Sequence, residues 1–148
     1  MAMLGGAYAL WRSPARIAGA ITGVARNVSP GPYRIGALTI MLETGLPVVR
    51  HPFIHYPNDP EVSGLEYHFM VGPELVMAPV LDPDRDTVAI YLPPGNWVHL
   101  WTGNSYSSPQ SGVNETVSAP IGEPAVFYKE ESEEGTRFRE ELRRRALL

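Results

Sequence analysis

"GPELVMAPVL", residues 72–81, decides what kind of molecule this is. It leaves a Gly-Pro turn and runs almost unbroken through apolar residues. A strand with one face in water alternates apolar and polar side chains, whereas a continuous run is covered on both faces. The stretch therefore reads as a buried strand over 74–81. It holds no reactive group, so its role is structural.

Working outward, "DPDRD" (82–86) is a turn, because Asp and Pro each favour turns, and "TVAIYLP" (87–93) is a second strand. "PPGNW" (93–97) turns tightly into "WVHLWTG" (97–103). "NSYSSPQSG" (104–112) is expected as a polar loop, "VNETVSAP" (113–120) as an alternating edge strand, and "PAVFYK" (124–129) as a short buried strand. The end, "EESEEGTRFREELRRRALL", places acids first and arginines last, as a helix dipole prefers. Its thin apolar stripe is Phe138, Leu142 and Ala146, which is expected to dock on the β body.

Upstream, Ile35, Leu38, Met41 and Leu42 fall at helical spacing over 33–44, and Gly45 and Pro47 end that helix. "VVRHPFIHY" (48–56) reads as a buried strand and "PNDPEVSG" (57–64) as a loop. "LEYHFMVG" (65–72) is open between a helical turn and a strand.

Composition narrows the class. The 148 residues include 15 Pro and 14 Gly, which imply frequent turns and short elements. There is no Cys, which excludes disulfides, thiolate metal sites and a Cys nucleophile. Residues 1–42 carry four Arg and no acid. Residues 43–148 carry all 16 acids against 8 basic residues. The one dense basic stretch, 137–145, is interrupted by glutamates, so no nucleic-acid partner is expected. No apolar run approaches the roughly 20 residues of a membrane span, and no membrane association is expected. Residues 1–32 read as an unmatched leader or a remnant of a larger fold, and the protein is expected in the cytoplasm.

Several residues invite a site and yield a plainer account. His51 and His55 are four apart, but Pro52 follows the first and the segment reads as strand. There the spacing is about 13 Å, too far to share one metal. Asp82, Asp84 and Asp86 have calcium-loop spacing, yet Thr87 and Pro93 stand where Gly and Glu are needed. Trp97, His99 and Trp101 alternate: exposed they would form a stacking platform for a sugar, buried they are core. Asp59, Glu61, Glu66 and Glu74 are carboxylates near strand ends without the apolar surroundings that raise an acid's pKa. "NVS" (27–29) and "NET" (114–116) are taken as chance sequons. No cofactor, metal ligand, catalytic residue or substrate-binding residue is assigned.

Four stretches, in this order and spacing, resemble glycoside hydrolase family 31, the α-glucosidase and α-xylosidase family. They are "GLPVVRHPFIHYPND" (45–59), "YHFMVGPELVMAPVL" (67–81), "YLPPGNWVHLWTG" (91–103) and "APIGEPAVFYK" (119–129). The last two look most like the sulfoquinovosidase branch. The resemblance covers Tyr33 to Lys129 and implies a β-rich α+β fold. Residues 33–64 would be the last helix and strand of a (β/α)8 barrel. A small antiparallel, β-sandwich-like C-terminal domain would follow over 65–130, then a terminal helix over 131–148. It implies a retaining α-glycosidase whose nucleophile and acid/base are Asp residues at the barrel mouth, upstream of the matched region. The chain is thus expected to be the C-terminal part of such an enzyme, inactive alone, meeting carbohydrate only within an intact barrel. His51, His55, Tyr56 and Asp59 are the residues that would lie nearest that mouth. The alternatives are a free-standing β module binding sugar or a protein, and one half of a split glycosidase paired with a separately encoded barrel.

Overall fold

A computed structural model describes residues 42–82, 84–120 and 123–144. The leader expected over 1–32, most of the helix expected over 33–44, and Ala146 lie outside these residues. Among the described residues there are eight strands: β1 (Val49–Arg50), β2 (Phe69–Val71), β3 (Leu75–Ala78), β4 (Thr87–Leu92), β5 (Gly95–His99), β6 (Ser105–Ser108), β7 (Val113–Ser118) and β8 (Ala125–Lys129). The helix α1 (Glu133–Arg144) follows, and residues 42–44, the described end of the helix expected over 33–44, are helical.

Six strands form an antiparallel sheet in the order β1-β2-β3-β8-β5-β6, and β4 and β7 pair as a separate two-stranded sheet. Strand β3, the middle of the apolar run at 74–81, lies inside the larger sheet between β2 and β8. All four of its residues are buried. Alternate side chains of the sheet enter two different cores. Met70, Val76, Ala78, Trp97, Ala125 and Phe127 point to one face, where Ile90, Leu92 and Val117 of the small sheet cover them. Val71, Leu75, Met77, Val98, Val126 and Tyr128 point to the other, where Leu142 and Phe138 of α1 pack. The continuous apolar run in β3 follows from this: one layer lies above it and another below.

The helix starts where Ser132 Oγ accepts a hydrogen bond from the Gly135 N–H at 2.9 Å, a serine N-cap. A side chain at Gly135 would collide with the Tyr128 ring, so the backbone of α1 lies directly on the sheet. Arg139 Nε then donates to the Leu100 carbonyl at 2.8 Å. The expected docking of the tail by Phe138 and Leu142 is what the structure shows.

Three expectations require correction. The strand expected over 48–56 is only two residues long. After it, Pro52–Ile54 form a 3-10 turn begun by His51, because Pro52 has no N–H for a ladder and its fixed φ suits a helix start. Strand β1 also pairs antiparallel to β2. Barrel strands run parallel to their neighbours, so this segment is the edge of an antiparallel sheet, and no (β/α)8 barrel is formed among the described residues. Thirdly, the polar loop expected over 104–112 contains β6, which pairs with β5. Serines hide it from an apolar pattern, and Tyr106 anchors it by packing edge-on to Phe127 at 5.2 Å between ring centres.

Candidate functional site

The segment between β1 and β2 carries most of the polar side chains that invited a site. It consists of two 3-10 turns, Pro52–Ile54 and Val62–Gly64, with Pro52 and Val62 buried beneath it. His51 organises the first turn. Its Nδ1 accepts from the Phe53 N–H at 3.1 Å, which leaves Nε2 to carry the proton and donate to the Leu65 carbonyl at 2.7 Å. Both ring nitrogens are thereby used in tying the two ends of the segment together.

Asp59 is likewise occupied. One carboxylate oxygen accepts from the Tyr91 hydroxyl at 2.5 Å and the other from the Glu61 N–H at 3.1 Å. Tyr91 is buried, and burial together with the adjacent carboxylate holds its proton on far above the usual phenol range. Glu61 and Glu66 are exposed. Tyr56 packs against the first core, and burial, helped by the charge of Glu74, pushes its pKa up to about 12.

His68 escaped the sequence reading. Its Nε2 accepts from the Tyr91 N–H at 3.0 Å, and burial, then the charge of His51, lowers its pKa to about 4. The imidazole is therefore a neutral acceptor that closes the segment onto β4. Its partner is a backbone group 23 residues away, and no local pattern announces that.

Among the described residues five buried side-chain nitrogens have no hydrogen-bond partner: Nε and Nη1 of Arg50, Nε2 of His55, Nδ1 of His68 and Nε2 of His99. Burial, then the positive charges of Arg50 and Lys129, lower the His55 pKa.

The aromatic platform does not exist. Trp97 is fully buried with Phe127 in the first core, and its Nε1 donates to the Pro93 carbonyl at 2.7 Å. Strand β5 ends at His99, so Trp101 leaves the alternation and packs against the second core, donating to the Pro124 carbonyl at 2.6 Å. His99 lies on Phe127 at 4.8 Å, with Nδ1 at 3.0 Å from the Thr102 hydroxyl. Asp82, Asp84 and Asp86 form an exposed turn in which Asp84 takes a left-handed φ of 62° and Asp82 pairs with Arg85 at 3.5 Å. Among the described residues no group of three His, Asp or Glu is arranged to hold a metal ion.

His51, Asp59, His68, Tyr91, Trp97 and Trp101 each make a hydrogen bond within the fold. Comparisons with known proteins give the family. Residues 45–132 match the glycosyl hydrolase family 31 C-terminal domain. The chain belongs to glycoside hydrolase family 31. It is 41% identical over 102 residues to the sulfoquinovosidase of Escherichia coli (strain K12), a match covering 69% of this chain and 14% of that protein. It is 38% identical over 117 residues to the sulfoquinovosidase of Agrobacterium fabrum (strain C58 / ATCC 33970), covering 78% and 17% respectively. Among solved structures, the family 31 sulfoquinovosidase from E. rectale superposes with a TM-score of 0.69 at 34% identity, over 78% of this chain and 17% of that one. The chain thus spans about one-sixth or less of these family 31 relatives. The matched region begins at residue 45, so the segment from β1 to β2 is part of the family's C-terminal domain pattern.

Proposed function

We propose that this chain is the C-terminal β body of a retaining α-glycosidase of the sulfoquinovosidase type, and that it supports a catalytic barrel without doing chemistry itself. The observation that carries this is the match of residues 45–132 to the family's C-terminal domain, together with relatives of which the chain spans so small a share. The side chains of the segment between β1 and β2 support the same reading, since His51, Asp59 and His68 are committed to internal hydrogen bonds.

The surface agrees in character. Val49, Phe53, Ile54 and Tyr67, all on or beside β1 and the segment after it, are 39%, 48%, 41% and 58% exposed. Strand β1 ends the sheet and pairs only with β2 among the described residues. An apolar rim beside an open strand edge is a surface for another folded body. In this reading that body is the barrel, encoded in the same polypeptide or separately.

The test is an assay of the purified chain on an aryl α-glycoside and an aryl α-sulfoquinovoside. No turnover is expected from the chain alone. Activity that survives repurification overturns the proposal.

A further inference from the structure

Arg50 is 4% exposed, yet among the described residues neither Nε nor Nη1 has an acceptor. In the ladder it stands opposite Met70, so its side chain belongs to the face of the first core, at the margin of the sheet. His55, five residues on, brings a second buried nitrogen without a partner to the same place. A buried guanidinium without a counter-charge is strongly unfavourable. Something outside the described residues therefore completes this site.

Charge and sequence say what it is. The ion pairs of the described residues are Arg85–Asp82, Arg137–Glu133 and Arg144–Glu141, and none involves Arg50. All 16 Asp and Glu residues lie within the described residues, and residues 1–42 contain none. No Asp or Glu side chain in the undescribed stretches can reach Arg50. Lys129 adds a second positive charge near His55, while Glu74 places a negative one near Tyr56 without pairing to Arg50. The exposed Val49, Phe53 and Ile54 flank Arg50 along the chain.

We propose that Arg50, with His55 beside it, is the receptor for a carboxylate carried by a separate polypeptide body that packs on β1 and the Pro52–Ile54 turn. A guanidinium offers such a carboxylate charge-assisted N–H donors, and Nε and Nη1 of Arg50 are the ones without a partner among the described residues. The proposal rests on the reading above only in identifying that body as the catalytic barrel.

The experiment uses thermal melts of the full 148-residue chain in sodium chloride and in sodium acetate of equal ionic strength, acetate being the carboxylate probe. In chloride, Arg50→Met should raise the melting temperature by several degrees, since it removes an uncompensated buried charge. Acetate should raise the melting temperature of the wild type, less that of Arg50→Lys, and not that of Arg50→Met. A variant Arg50→Met that melts lower or does not fold, or a wild type that melts alike in both salts, overturns the proposal. A result that overturns the carboxylate role leaves the barrel-supporting function standing, because the glycoside assay tests that function separately.

Discussion

The hydroxyl of Tyr91 lies 2.5 Å from the carboxylate of Asp59, 32 residues earlier in the chain. This single bond fastens the segment between β1 and β2 to the small sheet, because Tyr91 belongs to β4. Tyr91 also lies 3.1 Å from the Ser111 carbonyl, and its N–H reaches His68. One residue therefore joins the segment, β4 and the turn before β7.

Tyr91→Phe should destabilise the chain by about 1–3 kcal/mol, the range for a buried hydrogen bond to a charged acceptor. Asp59→Asn should cost less, and the double variant should fall short of the sum of the two, because both changes remove the same bond. Urea denaturation of the four proteins checks this. Strict additivity would show that the bond contributes nothing to stability.

Stability should fall as the solution is acidified from about pH 6.5 toward pH 4. His68 has a pKa of about 4 when folded against an unfolded value of 6.5. Between these values the unfolded chain binds more protons, so the free energy of unfolding rises with pH. The stability is fully present above pH 6.5 and is lost as pH falls through the folded value. The loss is at most about 3 kcal/mol, from 1.36 kcal/mol per pKa unit. His55 and His99 are shifted in the same direction and add to the slope. His68→Gln should flatten the dependence, as read from denaturant midpoints across this pH range.

The two tryptophans should respond unequally. Trp97→Ala empties the centre of the first core and should cost about 3–5 kcal/mol. Trp101 is half-buried, so Trp101→Ala should cost distinctly less. Indole fluorescence offers an independent check: Trp97 should resist an aqueous quencher that reaches Trp101. Equal quenching of both would contradict the burial of Trp97.

Gly112 has a φ of 71°, and a side chain there would meet the Tyr91 ring. Gly112→Ala should therefore cost more than the roughly 1 kcal/mol of a strained backbone alone. Combined with Tyr91→Ala, it should cost less than in the wild-type background, since the collision is gone. Chemical denaturation of these variants measures the difference.

Leu142→Ala should loosen α1 from the sheet at a cost of about 2–5 kcal/mol. Amide exchange should then speed up in 133–144 while β3 and β8 stay protected. Uniform acceleration would mean that helix and sheet unfold as one unit.

Local signals carried much of this protein. The apolar run in β3, the alternation in β7, the short buried β8, and the acid-first, arginine-last tail all read directly, because each depends on side-chain period or on the helix dipole. The order of four short stretches was enough to mark the family. What the sequence could not show were relationships between distant residues. The polar β6 exists because β5 offers it an edge and Phe127 offers Tyr106 a ring. Strand β1 is short and antiparallel because Pro52 ends it and β2 is its neighbour. Trp97 and Trp101 enter different cores because β5 stops between them. Asp59, His51 and His68 became structural only when Tyr91 and Leu65 were brought to them. Period and composition are properties of a few adjacent residues, so the sequence determined those elements, β3, β7, β8 and α1 among them, whose pattern is local. Which buried polar group finds a partner depends on chain closure over tens of residues, so only the tertiary structure decided that Asp59 is satisfied and Arg50 is not.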